Sequence, residues 1–339
     1  MIRAKLHSLA LVLSLLSAGL AGAEADPSAT PTASLGKTLR WSELSQMPLP
    51  EPGERIPYGS DPQQFGELRL PKGKGPFPVF VIIHGGCWMS AFDYVYMTRL
   101  SAWLAERGFA TWTIEYRRVG DAGGGWPGTF LDVATATDHL REIAQKEPLD
   151  LQRVYAAGHS AGGELALWLA TRDRLPATSE IYRQKPLPIR GVLGLAAVTD
   201  LTQYRVGPAD SCHGSVDQLL GGSPEKYPTR YAETSPRQRL PLGVPQIFIQ
   251  GEVDPIVEPG PVRAYVEAAK KAGDRAQVFP LPGAGHFEAS VPLPKSEATF
   301  AEALQVLTKH ALSSVALSLG REMPQLGRGI PSRRRFSRR

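Results

Sequence analysis

A chain of 339 residues can bury one large core, and 42% hydrophobic with 21% charged residues is the balance of an ordinary globular protein. The formal charge of +5 sits at the ends: residues 321–339 hold seven arginines and one glutamate, Arg3 and Lys5 add two cations, and residues 24–320 are net −3. A mildly acidic body excludes nucleic acid as its partner, because binding a phosphate backbone takes a basic surface.

Residues 1–23 read as a secretory signal peptide. Arg3 and Lys5 make the positive end, residues 9–16 the apolar stretch, and Ala21-Gly22-Ala23 the small-residue cleavage pattern. The apolar run falls short of the roughly 20 residues that span a bilayer, so no stable membrane insertion is expected after cleavage. The mature protein would be secreted or periplasmic. A Pro/Thr/Ser/Ala-rich extension follows at 24–60, read as disordered to about Leu39. The catalytic body is expected over 61–312, and the arginine-rich end, 313–339, as a solvated disordered tail.

Between these ends strands and helices alternate. Residues 78–83 form a continuous β-branched apolar run that ends at Gly85-Gly86, the pattern of a strand buried on both faces. Tyr96, Leu100, Trp103 and Leu104 then fall on one helix face, and Gly108 closes that helix. A strand at 109–116 follows, and Thr129 with Asp132 resembles a capping box opening the next helix, whose face carries Val133, Thr137, Leu140 and Ile143. Further strands are expected at 154–157, 192–198, 246–250 and 277–281, with helices at 161–171, 261–272 and from Ser296 past Leu307. Such alternation defines an α/β fold, a mostly parallel central sheet with helices on both faces. Reactive groups in these sheets gather at the carboxyl ends of the strands.

Three polar residues stand at such ends. Gly158-His159-Ser160-Ala161-Gly162 lies between a strand and a helix, where a sharp turn presents a serine hydroxyl and the glycines clear space around it. A merely structural turn is the competing explanation. Asp254, in the loop after the strand 246–250, suits an acid that orients a histidine, in competition with a loop-capping role; Glu252 and Glu258 fit the loop less well. Among seven histidines, His286 follows the last strand on a glycine-containing loop. His7 goes with the signal segment, His139 and His310 lie on helices, and His213 lies in a polar insertion. His159 adjoins the serine and should point elsewhere, and His84 belongs to the loop His84-Gly85-Gly86-Cys87-Trp88. That loop follows the first central strand, and the N–H groups of Gly86, Cys87 and Ala161 are the expected donors to an oxyanion, with His84 as a brace.

Together the His-Gly-Gly-x-Trp loop, the Gly158–Gly163 turn, the Asp254 loop and Gly285-His286-Phe287 resemble the α/β-hydrolase superfamily, closest to its esterase and kynurenine-formamidase-like branch. The likeness runs from about Phe65 to Lys309. It implies hydrolysis of small esters or arylamides through Ser160, Asp254 and His286, without a cofactor or metal. The export signal favours a broad carboxylesterase. Trp88 and Trp126 are expected to wall an acyl or aryl pocket, each with core packing as the alternative. The segment 201–243 is expected as a small lid or an ordered surface loop. A secreted prolyl-oligopeptidase-type peptidase shares the Ser–Asp–His order but normally carries a large propeller, for which the chain has no room. A non-catalytic binding protein on this fold would normally lose a triad member. The two cysteines, Cys87 and Cys212, stand in loops on the same edge of a parallel sheet, so a disulfide is topologically possible though not required, against the alternative of one semi-buried and one exposed thiol.

Overall fold

The computed structural model of the protein describes residues 37–208 and 211–321, with side chains to residue 311. The expected signal segment, the first part of the 24–60 extension and the tail from residue 322 lie outside the described residues.

In chain order the elements are α1 (Trp41–Leu44), β1 (Glu54–Pro57), β2 (Phe65–Arg69), β3 (Phe77–Ile83), α2 (Thr98–Ala105), β4 (Ala110–Ile114), α3 (Gly128–Asp138), α4 (Leu140–Ile143), β5 (Leu149–His159) and α5 (Ala161–Leu169). Then come β6 (Val192–Leu195), α6 (Leu201–Tyr204), α7 (Ser215–Leu220), α8 (Pro228–Thr234), β7 (Gln246–Gly251), α9 (Pro259–Lys271), β8 (Ala276–Leu281) and α10 (Glu297–Arg321). The eight strands form one sheet in the order β1-β2-β4-β3-β5-β6-β7-β8. β2 runs antiparallel to both neighbours, and all other pairs beyond it are parallel.

The apolar runs are explained by burial on two sides. In β3, Val79, Val81 and Ile83 join one core cluster with Phe130 of α3 and Leu165 and Trp168 of α5. Phe80 and Ile82 join the other, with Leu100 and Leu104 of α2 and Phe300 and Leu307 of α10. A strand covered on both faces has no polar face to display, so it shows no alternation.

Four expectations need correction. From residue 37 on, the extension belongs to the domain: Leu44 is fully buried and β1 is hydrogen-bonded into the sheet. The Thr129–Asp132 pair forms no capping box. Thr129 Oγ1 donates to Arg117 O instead, and Asp132 takes a bidentate pair from the Arg117 guanidinium at 2.7 and 2.8 Å plus Gln64 Nε2 at 2.7 Å, so it fastens the loop after β4. The helix continues only to Asp138 before resuming as α4, although all four expected face residues are buried. The closing helix runs to Arg321, beyond the boundary expected at 312.

The described residues of the segment 201–243 form three short α-helices packed into the domain. Val216, Leu219, Leu220 and Tyr231 are buried in the main core, and Asp217 accepts a bidentate pair from Arg205 and the Tyr231 hydroxyl.

Candidate active site

Ser160 occupies the single-residue turn between β5 and α5 with φ 56° and ψ −119°. A non-glycine residue rarely adopts this backbone, and it persists only where the surroundings hold it. They do here: Ser160 N donates to Leu195 O at the end of β6, and Ser160 O accepts from Gly163 N and Val198 N. Gly162 must lack a side chain, because a β-carbon there would collide with the carbonyl oxygens of Ile83 and His84.

Asp254 follows β7 and is 3% exposed. Its Oδ1 accepts Ile256 N at 2.8 Å and Val257 N at 3.0 Å, and its Oδ2 accepts Gln250 Nε2 at 3.2 Å and His286 Nδ1 at 2.8 Å. A carboxylate only accepts, so Nδ1 carries the imidazole proton and Nε2 is left with its lone pair. His286 leaves β8 on the loop 282–286, which crosses directly over Gly251 at the end of β7. A β-carbon on Gly251 would run into Gly285 O and Ala284 O. Gly251→Ala should therefore push the acid and histidine loops apart, lowering stability by about 1–3 kcal/mol as over-packing does. A thermal midpoint and turnover equal to the parent protein's would contradict this.

The structure thus brings Asp254 to His286. It places His286 beside the turn as well, since the rings of His159 and His286 lie 4.6 Å apart. No hydrogen bond joins Ser160 to His286: among the described residues the Ser160 hydroxyl has no hydrogen-bond partner. Catalytic contacts of this type commonly tighten only when substrate is seated.

Gly85 packs against the turn, a β-carbon built on it falling 3.0 Å from Ser160 Cβ. Gly86 and Cys87 follow with φ 104° and 56°. The N–H groups of Gly86, Cys87 and Ala161 donate to no protein acceptor among the described residues, whereas Gly85 N donates to Tyr96 Oη at 2.7 Å. Backbone amides with no protein acceptor are free to donate to a negatively charged oxygen.

His84 is a brace, bonded on both ring nitrogens, to Gly85 O at 2.8 Å and Glu115 Oε1 at 2.9 Å, and stacked on Tyr116. Burial raises the Glu115 carboxyl, and His84 and Arg118 more than reverse this, holding it below its ordinary value.

Neither tryptophan lines the cleft. Trp88 is fully buried, with Nε1 donating to Glu164 Oε2 at 3.2 Å; burial pushes the Glu164 carboxyl well up. Trp126 packs on Phe130 and under Arg230 and donates to Glu180 at 2.8 Å. Both serve packing. A cavity of about 550 Å³ is instead walled by Cys87, Met89, Phe92, Tyr204, Cys212 and Ile256, between the Cys87 loop, the insertion and the Asp254 loop. Cys87 and Cys212 form a disulfide with Cα atoms 5.1 Å apart, which fastens the insertion to that loop.

Sequence reasoning missed several supports. Gln250 Nε2 ties Asp254 Oδ2 to Val257 O; a glutamine in an otherwise apolar strand was the available signal. Tyr96 was read only as helix core. Trp41 of α1 sits edge-on to Phe92 and Tyr96 and tilted on Phe287, and Glu288 accepts both Leu39 N and Gly285 N. The segment before β1 therefore buttresses the His286 loop.

Among the described residues no group of three His, Cys, Asp or Glu side chains could hold a metal ion, and no helix is long and apolar enough to cross a membrane.

The sheet order, the antiparallel β2 and the strained serine between β5 and α5 define an α/β-hydrolase. The BD-FAE family matches residues 67–265, more than half of the chain, and the chain belongs to this α/β-hydrolase esterase family. Esterase LipC of Mycobacterium tuberculosis is 29% identical over 242 residues, 68% of this chain; the chain spans 59% of that relative's length. Among solved structures, a carbohydrate esterase from gut microbiota superposes with a TM-score of 0.64 at 20% identity, covering 76% of this chain and 95% of that one. A thermophilic esterase from the Planctomycetes species Thermogutta terrifontis gives 0.62 at 21% identity, covering 84% and 100%. Esterase B from Lactobacillus rhamnosis gives 0.66 at 20%, covering 81% and 91%.

Proposed function

We propose that the protein hydrolyses small carboxylic esters through an acyl-enzyme on Ser160. The observation that carries this reading is the pairing of Asp254 with His286 Nδ1, whose ring lies beside the strained Ser160 turn. In the first step His286 Nε2 takes the Ser160 proton while Oγ bonds to the ester carbonyl carbon. The oxygen of that carbonyl gains the negative charge, which the N–H groups of Gly86, Cys87 and Ala161 are placed to receive. The C–O bond to the leaving group then breaks as His286 returns the proton to the departing alkoxide. Water repeats the sequence on the acyl-serine, restoring Ser160. Asp254 orients the ring through Nδ1 and stabilises the imidazolium. Every proton is carried by this chain's own side chains, so the cycle closes without a cofactor.

A fluorophosphonate probe tests the reading directly: it should label the protein once, at Ser160, and block ester hydrolysis. Labelling elsewhere, or none, would refute it.

The insertion 201–243 is too short for a large cap, so acetyl to butyryl p-nitrophenyl esters should be turned over faster than long ones, and a clear preference for palmitoyl esters would count against this open-pocket picture. Acetylated saccharides belong in the same panel, because one structural neighbour is a carbohydrate esterase. N-formylkynurenine and an aminoacyl-arylamide in that panel separate ester from amide cleavage. Export to the periplasm or medium is part of the proposal; a Cys87–Cys212 disulfide suits an oxidising compartment.

A further inference from the structure

One buried chain of hydrogen bonds takes no part in the proposed proton transfers, yet it joins two loops that do. Gly85 N–H donates to Tyr96 Oη at 2.7 Å, Tyr96 Oη meets His159 Nδ1 at 2.9 Å, and His159 Nε2 meets the carbonyl oxygen of His286 at 3.2 Å. Chemistry settles the direction of every bond. The His286 carbonyl can only accept, so His159 Nε2 carries the proton. Both side chains are almost wholly buried, and burial first, then the nearby His286, pushes the His159 pKa well down, keeping the ring neutral. Nδ1 is therefore a lone pair that accepts the Tyr96 hydroxyl, and the Tyr96 oxygen accepts from Gly85. Burial pushes the Tyr96 hydroxyl up, so it keeps its proton.

We propose that Tyr96 and His159 are positioning residues: they form a rigid strut that sets the distance between the oxyanion amides and the base. One end holds Gly85, the residue before the Gly86 and Cys87 donors. The other holds the backbone of His286 itself. The middle is anchored because His159 is the last residue of β5 and the neighbour of Ser160. Tyr96 is clamped edge-on by Trp41 and by the His159 ring. No other hydrogen-bonded path of side chains among the described residues spans these two loops so directly. The strut rests on the serine-hydrolase reading above, since without that chemistry it would have nothing to position.

Misplacing catalytic groups by about 1 Å lowers rates on the order of 100-fold, without a comparable effect on ground-state binding. In the full-length chain, Tyr96→Phe removes one oxygen from the middle of the strut, and His159→Leu removes both histidine bonds at nearly constant volume. Each should lower kcat for p-nitrophenyl acetate by about tenfold or more, with KM nearly unchanged. His159→Asn puts an amide oxygen near the Nδ1 position, and His159→Gln puts an amide nitrogen near Nε2. Each should restore part of the kcat lost in His159→Leu, because each rebuilds one half of the strut. A kcat equal to the parent's in both Tyr96→Phe and His159→Leu would overturn the proposal. So would losses that track thermal midpoint alone and are not recovered by Asn or Gln. If His159→Leu does not fold, Tyr96→Phe decides, because it keeps the ring and its packing. Failure of the parent chain to react with a fluorophosphonate, or full activity in Ser160→Ala, is a different result: it removes the hydrolase reading first and the strut with it.

Discussion

Ser160→Ala should lower ester turnover by about 10⁴–10⁶-fold, His286→Ala should do the same, and combining them should add almost nothing, because nucleophile and base act as one unit. Asp254→Asn keeps the shape but reverses the logic of its bond. An amide nitrogen facing His286 Nδ1 would drive the proton to Nε2, the atom that has to be basic. Its loss should be about 10⁴-fold. The network makes the effect specific: Oδ1 is already committed to the amides of Ile256 and Val257, so Asp254 cannot swing away to another partner. Steady-state kinetics on p-nitrophenyl butyrate, with thermal midpoints to show that each variant is folded, checks all of this. Full activity in Ser160→Ala would sink the proposed mechanism.

Removing the disulfide should be the most damaging change to stability. Cys87 and Cys212 are 125 residues apart, and closing a loop of that length in the unfolded chain is worth about 5 kcal/mol of chain entropy. That is a large part of the roughly 5–15 kcal/mol that holds a domain together. Cys87→Ser with Cys212→Ser should therefore move the urea midpoint far down. It should also lower kcat, because the bond fastens the insertion to the loop that carries the proposed Gly86 and Cys87 oxyanion donors. Equal urea midpoints for the parent and the double variant would overturn the stability part, and an unchanged kcat the second. Reduction of the parent protein with dithiothreitol should reproduce both effects without a mutation.

The corrections share a cause. Phe65-Gly66-Glu67-Leu68-Arg69 carries no clear strand pattern in the sequence, because charged residues interrupt it. Its membership of the sheet comes from pairing with β1 and β4, including the close fit of Gly66 under the Trp112 ring. Trp88 and Trp126 stood next to the right glycines in the chain. Where their rings point depends on Glu164 of α5, and on Glu180 and Arg230, residues 54 to 104 positions away. The Thr129–Asp132 spacing was right for a cap, yet Arg117 and Gln64 offered Asp132 stronger, charge-assisted partners than a helix amide.

The sequence by itself determined what is local. Continuous apolar runs between amphipathic helices define a parallel α/β sheet. Glycines on both sides of a serine define a sharp turn, and an acid and a histidine after the last strands mark the sheet edge where reactive groups collect. Each of these signals is carried by residues within a few positions of one another, where backbone sterics and burial act directly. Only the tertiary structure decided which side chains meet: Asp254 with His286, Tyr96 with Gly85 and His159, Cys87 with Cys212, and Trp41 with the loop of the base. Those contacts join segments tens to hundreds of residues apart. Their geometry is set by how β3, β5, β7 and β8 stack in the sheet, and no periodicity along the chain encodes it.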